Sequence, residues 1–254
     1  MEEITVILLG LIFGSFLNVV IYRLPLGESV ISPRSYCPVC KKQVKSYDNL
    51  PVLSYILLGG KCRHCKTGIS AQYPFVELLV AFTFWFVYHN FGHSPVFTVF
   101  SIIFLLILIA LAFIDLKHMI LPDELTIGGG LLFFVYSFFN PYVPLTEAII
   151  SGALIFLVFL GIYVFYLKVR KIEGLGQGDI KMVFMLGVFL GAEKLIVAIL
   201  IASVSGLIVG IFLILFKNRA LKHALPFGVF LSLGGYISFF WGDLIFNKIQ
   251  MIYL

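Results

Sequence analysis

The sequence predicts an all-α polytopic membrane protein with about eight transmembrane helices and a small zinc-binding loop domain on the cytoplasmic side. Hydrophobic residues make up 61% of the 254 residues, and charged residues make up only 12%. So few polar side chains cannot cover the surface of a water-soluble globule. The charged residues are also concentrated in the gaps between long apolar runs, which is typical of a chain that crosses a bilayer repeatedly.

The apolar runs predict the individual spans. A hydrocarbon core about 30 Å thick requires about 20 apolar residues in helical conformation. The eight predicted spans are 4–22, 74–91, 96–114, 125–140, 146–167, 180–192, 194–216 and 226–246. Two of them, 125–140 and 180–192, are short, so six or seven crossings are alternatives. We expect a first transmembrane helix at 1–22, a four-cysteine loop domain at 23–73 and a multi-helix membrane domain at 74–254.

The distribution of Lys and Arg predicts the orientation of these spans. Of the 18 basic residues, all but Lys194 and Lys248 fall on one side of the map, and the segment 23–73 is the richest in them. Because cytoplasmic loops carry the excess of Lys and Arg, we expect both termini outside and the 23–73 loop in the cytoplasm. The acidic start before the first span favours a membrane anchor over a cleavable signal peptide. The net charge of +5 is explained by this topology, with membrane lipid and not nucleic acid as the partner.

Four cysteines in the 23–73 loop form two C-x-x-C pairs, Cys37 with Cys40 and Cys62 with Cys65. Each pair can supply two sulfur ligands from one tight turn, so the four thiolates predict a tetrahedral structural zinc site. Two disulfides are the alternative, which the predicted cytoplasmic position of the loop disfavours.

Two aspartates lie where an acid is costly in a membrane protein. Asp115 closes the third span and Asp179 opens the sixth, so the topology predicts that both lie at the same cytoplasmic depth. The glycines Gly176 and Gly178 give the backbone before Asp179 freedom to approach another group closely. Two aspartates that share a site cannot both ionise easily. Such a pair can activate water and protonate a leaving amine, so we predict an aspartic dyad for amide hydrolysis.

Other interpretations of these residues remain open. Lys181 either orients or ionises Asp179, or it is a positively charged residue that marks the cytoplasmic end of a span. A proton-coupled transporter would also carry membrane acids, although its site is expected near the bilayer midplane. A non-catalytic zinc-bearing membrane scaffold would account for the cysteines but leave Asp115 unexplained.

Five segments, in order along the chain, resemble the bacterial type IV prepilin peptidases. These enzymes are the leader peptidases and N-methyltransferases of type IV pilus and type II secretion systems. The segments are 13–25 (FGSFLNVVIYRLP), the cysteine loop with Ser70, Tyr73-Pro74 and Glu77 after it, Asp115 with Leu121-Pro122-Asp123, Gly176-Gln177-Gly178-Asp179, and Pro226-Phe227-Gly228. The fourth segment is the G-x-G-D element that is also found in presenilin-like aspartic proteases. The resemblance covers essentially the whole chain.

This resemblance implies an activity and its participants. The enzyme would cleave the basic leader of a prepilin or pseudopilin after a glycine, at the cytoplasmic face of the bacterial inner membrane. It would then methylate the new N-terminal residue, usually Phe, with S-adenosylmethionine as the donor. Asp115 and Asp179 would be the catalytic pair, and Gly176 and Gly178 would bring Asp179 toward Asp115 and admit an extended substrate.

The methyl-donor site is not predicted by any motif. A glycine-rich loop after a strand, the sign of a Rossmann-type cofactor site, is missing from the sequence. The residues that bind the donor are therefore unknown, and the polar candidates are Asn18, Asp48 and Glu77.

Overall fold

The computed structural model describes residues 1–171, 175–217 and 225–253, and within these ranges the architecture is all-α, as predicted. The helices are α1 (Glu2–Arg23), α2 (Leu53–Leu57), α3 (Gln72–Phe91), α4 (Pro95–His118), α5 (Asp123–Ser137), α6 (Leu145–Phe165), α7 (Gln177–Lys217) and α8 (Phe227–Tyr253). The chain forms two compact units, Met1–Leu106 and Ile107–Leu254.

Each predicted apolar segment lies mainly in a helix, although 125–140 extends past the end of α5 at Ser137. Five helical segments of the described chain are long and apolar enough to cross a membrane: Glu2–Leu26, Pro95–His118, Leu145–Arg170, Gln177–Leu215 and Phe227–Ile252. The helix α7 contains two of the predicted spans, 180–192 and 194–216. They are separated by Gly191, whose φ of 77° and ψ of 177° are not helical. The count of eight spans is therefore approximate, whereas the helical polytopic class is confirmed.

In the first unit, α1 and α3 pack so closely that glycine is required at the contact. A Cβ atom at Gly10 would lie 2.6 Å from the Cα atom of Ala81, and one at Gly14 would lie 2.7 Å from the Cα atom of Glu77. Small residues let membrane helices approach to backbone contact. The two pairs also fix the register, because α1 advances by four residues while α3 retreats by four, as antiparallel neighbours do.

The last residue of α1 organises the start of the loop that follows. The guanidinium of Arg23 is buried and donates hydrogen bonds to the carbonyl oxygens of Ser29 at 3.0 Å, Pro33 at 2.8 Å and Arg34 at 3.3 Å. A guanidinium has several donors in a fixed fork, which suits it to gather several carbonyls. The chain after α1 therefore folds back around this side chain.

The second unit uses the same close packing of helices. At the α6–α7 contact, a Cβ atom at Gly187 would lie 2.9 Å from the Cα atom of Gly152, and the Ser151 hydroxyl donates to the Gly187 carbonyl at 2.8 Å. At the contact of α7 with α8, a Cβ atom at Gly234 would overlap the carbonyl oxygen of Ala198.

The α7–α8 contact yields a stability prediction. Replacing Gly234 by Ala forces α8 away from Ala198, and overpacking of this kind costs about 1–3 kcal/mol. We expect a lower midpoint of thermal unfolding for Gly234→Ala in detergent. The matched control is Gly161→Ala in α6, where a Cβ atom would meet nothing within 4 Å. That control should keep or slightly raise the midpoint, because Ala favours helix by about 1 kcal/mol over Gly. Equal midpoints for the two variants would contradict the packing described here.

Candidate active site

Asp115 lies near the end of α4 and its carboxylate is bound to the beginning of α8. Its Oδ2 atom accepts a hydrogen bond from the backbone N–H of Val229 at 3.1 Å, and the amide of Gly228 also interacts with it. Helix starts have free N–H groups and favour a carboxylate. Because a Cβ atom at residue 228 would lie 2.8 Å from that same Oδ2 atom, the contact requires the glycine found there.

Asp179 lies in the first turn of α7, and its surroundings also require glycine. Its backbone N–H donates to the Gly176 carbonyl at 3.2 Å, and a Cβ atom at Gly176 would lie 2.9 Å from its Oδ2 atom. A Cβ atom at Gly178 would lie 2.8 Å from the Cβ atom of Leu121. Each glycine of the G-x-G-D segment therefore occupies a place where a larger side chain would displace Asp179 or its neighbour.

The two aspartates come together in the second unit. Asp115 is 5% exposed and Asp179 is 8% exposed, and their carboxyl groups interact electrostatically. Leu121 lies between the segments that carry them, because its side chain touches both Gly178 and Gly228. A buried pair of carboxyl groups contributed by two helix ends has the composition of an aspartic hydrolase dyad.

The ammonium group of Lys181 is paired with Asp123 and not with Asp179. Its Nζ atom lies 2.6 Å from Oδ1 of Asp123, and both side chains are partly exposed. The ion pair joins the N-terminal part of α7 to the first residue of α5.

The four cysteines also come together, in the first unit. Their sulfur atoms all lie within 4.8 Å of one another, and those of Cys37 and Cys65 are 3.8 Å apart. Zn–S bonds of about 2.3 Å in a tetrahedron separate the sulfurs by about 3.8 Å. The cluster therefore fits a metal ion with four thiolate ligands.

The two cysteine pairs adopt the same kind of backbone turn. The N–H of Lys41 donates to the carbonyl of Cys37, as that of Lys66 does to Cys62, and both lysines have a positive φ, 58° and 59°. Beside the second turn, the hydroxyl and backbone amide of Thr67 lower the pKa of the Cys65 thiol to about 6. The thiolate is the form that binds a metal, so this contact favours ligation.

The polar candidates for the methyl-donor site all have partners within the first unit. Arg63 donates two hydrogen bonds to Asp48, at 2.6 and 2.8 Å, which holds the pKa of that carboxyl below its usual range. The amide nitrogen of Asn18 donates to the Tyr73 carbonyl at 3.0 Å. The carboxylate of Glu77 accepts the backbone N–H of residue 52 at 2.7 Å.

Sequence reasoning missed how Asp115 is held. It noted the segment Pro226-Phe227-Gly228 but gave it no role, and it gave none to Leu121. The available signal was a Pro-x-Gly element directly before the last apolar run. A proline followed by a glycine at a helix start marks a backbone that must leave room for a neighbouring group.

Comparison with known proteins covers both units. Residues 8–91 match the model of the bacterial peptidase A24 N-terminal domain, and residues 102–211 match that of the type IV leader peptidase family. No solved structure matches the chain significantly.

Curated relatives match most of the chain. A prepilin leader peptidase/N-methyltransferase of Aeromonas salmonicida is 37% identical over 94% of this chain and 90% of its own length. One of Legionella pneumophila is 36% identical over 94% and 91%. One of Myxococcus xanthus is 41% identical over 84% of this chain and 63% of its own length. Together with the two matching domain models, these identities show that the chain belongs to the type IV leader peptidase family.

Proposed function

We propose that this membrane protein cleaves the leader of prepilins or pseudopilins and then methylates the new N-terminal residue. The observation that carries the peptidase half is the buried pair of Asp115 and Asp179, which come from two helix ends and are close enough to interact electrostatically. The relatives named above are prepilin leader peptidase/N-methyltransferases, which supports both halves.

The dyad hydrolyses the peptide bond without a covalent intermediate. One carboxyl group carries a proton and the other is ionised, because two carboxylates in one site cannot both ionise easily. The ionised group accepts a proton from water as the water attacks the scissile carbonyl carbon. The protonated group donates a hydrogen bond to the carbonyl oxygen and then transfers its proton to the leaving amine. The backbone amide of Val229 orients Asp115 during these steps.

Gly176 and Gly178 support catalysis by leaving space around Asp179, and Lys181 supports it indirectly. Its ion pair with Asp123 keeps the start of α7 next to α5. The substrate class follows from the family resemblance: a basic leader, a Gly-Phe junction and an apolar helix. The catalytic carboxylates and the cysteine loop then face the cytoplasm, with both termini outside.

Zinc is the metal that the four cysteines would hold. As a structural ion it ties the two turns of the loop together and supplies folding free energy to a segment with little apolar core. The methyl donor is S-adenosylmethionine. Asp48 and Glu77 are engaged by the partners described above, whereas the buried Oδ1 atom of Asn18 has no hydrogen-bond partner among the residues that the structure describes. Asn18 is therefore the one of the three that keeps a free polar atom for the donor.

The dyad gives the first functional prediction. Asp115→Asn and Asp179→Asn should each lower cleavage of a purified prepilin with a Gly-Phe junction by at least about a hundredfold, since loss of a general acid or base costs 10²–10⁴. Cleavage is followed by the loss of leader mass in detergent.

The matched control for the dyad is Asp243→Asn. Asp243 is exposed and paired with Lys194 at 3.0 Å, and exposed ion pairs contribute about 0–1 kcal/mol. This variant should cleave at nearly the wild-type rate. Cleavage by Asp179→Asn at a comparable rate would exclude Asp179 from the mechanism, whereas no cleavage by the wild type itself would favour the transporter or scaffold interpretation.

The cysteine cluster gives a second prediction. Changing Cys37 and Cys40 to Ser removes two of four ligands, so elemental analysis should show loss of about one zinc per chain. The loop should lose order, and N-methylation should fall more than leader cleavage. Metal content equal to that of the wild type would refute the zinc assignment.

The proposed orientation gives a third prediction. Glu193 is exposed and lies next to Lys194, on the side proposed to be outside. A membrane-impermeant maleimide added to intact cells should label Glu193→Cys and leave Lys117→Cys and the wild type unlabelled. Labelling of Lys117→Cys alone would reverse the orientation.

A further inference from the structure

The short helix α2 and the nearby Leu50 present apolar side chains that the protein leaves exposed. Leu53 is 59% exposed, Ile56 67% and Leu57 81%, and Leu50 is half exposed. The opposite face of α2 is held, because the Ser54 hydroxyl is buried and donates to the Tyr47 carbonyl at 3.0 Å. The apolar face is therefore presented by a fixed backbone.

The register of α1 and α3 gives a depth scale for this helix. Gly14 lies against Glu77, and Gly14 is nine residues before Arg23, which ends α1. At 1.5 Å per residue, this contact lies about 13 Å along α1 from its Arg23 end. The opposite ends of the two helices agree with this register, because the Tyr88 hydroxyl donates to Glu2 at 2.8 Å.

Glu77 ties α2 to that depth. Its Oε2 atom accepts the backbone N–H of Val52, the residue before α2, at 2.7 Å. Side chains on a helix lean toward its N terminus. In α3 the N terminus is the end near Arg23, so the carboxylate of Glu77 lies about one turn, roughly 5 Å, closer to that end than its Cα atom. Val52 therefore lies about 8 Å inside the level at which α1 ends.

At this depth, α1 and α3 also expose apolar side chains. Phe75 and Leu78 flank Glu77 on α3 and are more than half exposed, and Phe16 is half exposed on α1. The apolar face of α2 begins one residue after Val52, which is bound to Glu77 on α3 at this depth. Lys61 follows α2 and is exposed, and basic residues near a bilayer surface attract anionic headgroups.

From this placement we propose that α2 is a membrane-embedded interfacial helix, which lays Leu53, Ile56 and Leu57 into the lipid of the leaflet at the Arg23 end of α1. Interfacial helices bury their apolar face about 5–10 Å into the boundary of headgroups and acyl chains, which agrees with the depth of Val52. The four-cysteine loop is thereby held on the membrane surface by lipid as well as by α1 and α3. The proposal does not depend on the peptidase activity.

The test measures depth with single tryptophans in the full chain. Trp85 and Trp241, the native tryptophans, are changed to Phe, and Leu57→Trp is added. The protein is placed in phosphatidylethanolamine and phosphatidylglycerol vesicles with or without lipid brominated on its acyl chains. We expect brominated lipid to lower the Leu57→Trp emission at least about twofold and iodide to lower it little, as for a side chain inserted in the interface.

The matched control is Ile31→Trp in the same background. Ile31 is apolar and 88% exposed, and it lies in the loop that Arg23 holds at the end of α1. Its emission should be quenched by iodide and little by brominated lipid. If the chain with Phe at positions 85 and 241 fails to fold, each tryptophan is instead added to the native chain. The quenching of the added tryptophan is then the difference between the variant and the wild type.

Three results would overturn the proposal. One is quenching of Leu57→Trp by iodide and not by brominated lipid. Another is an aqueous Leu57→Trp that becomes protected only when a prepilin is added, which would make α2 a docking site for substrate. The third is equal quenching of the two positions by brominated lipid, which would remove the depth argument.

Discussion

The hydrogen bond from the first turn of α8 to the carboxylate of Asp115 is the contact on which the candidate site depends. Asp115 is buried near the end of its own helix, where the free carbonyl groups disfavour an anion. The amide of Val229 supplies the donor that α4 lacks. Gly228 makes the approach possible, because a Cβ atom there would collide with Asp115 and Leu121. Since Leu121 also touches Gly178, the same contact fixes the start of α7 and with it Asp179.

Much of this arrangement follows from local sequence patterns, and the remainder follows from long-range contacts. Apolar runs predict the helices, and paired C-x-x-C turns predict the sulfur cluster, because both patterns act within a few residues. The meeting of Asp115 with Asp179 was inferred from the common depth of two span ends. The donor to Asp115 lies 114 residues away, and the partner of Lys181 is Asp123, so neither is visible in a local pattern. The helix α2 was missed because five residues are too few to show periodicity.

The break in α7 has a physical cause in one side chain of α6. A straight helix of 41 residues would be about 60 Å long, twice the thickness of the hydrocarbon core. At Gly191 the backbone takes φ 77°, which favours glycine, and the Glu147 carboxylate accepts the N–H of Ala192 at 3.1 Å. A Cβ atom at residue 191 would lie 2.6 Å from that carboxylate. Glu147 therefore caps the second half of α7. Its carboxylate also occupies the space that a side chain at residue 191 would need.

This break determines the depth of Asp179. Glu147 lies in the first turn of α6, so Gly191 is level with the start of that helix. Asp179 is twelve residues earlier, about 18 Å away along α7, which is less than the roughly 30 Å of the hydrocarbon core. The side-chain amide of Gln177 agrees with this depth, because it donates to the hydroxyl of Tyr163. Tyr163 lies about two turns before the end of the helical segment Leu145–Arg170. A carboxylate recessed in this way lies where the apolar helix of a prepilin would meet its polar leader, so a short first half of α7 brings the proposed chemistry to the membrane boundary.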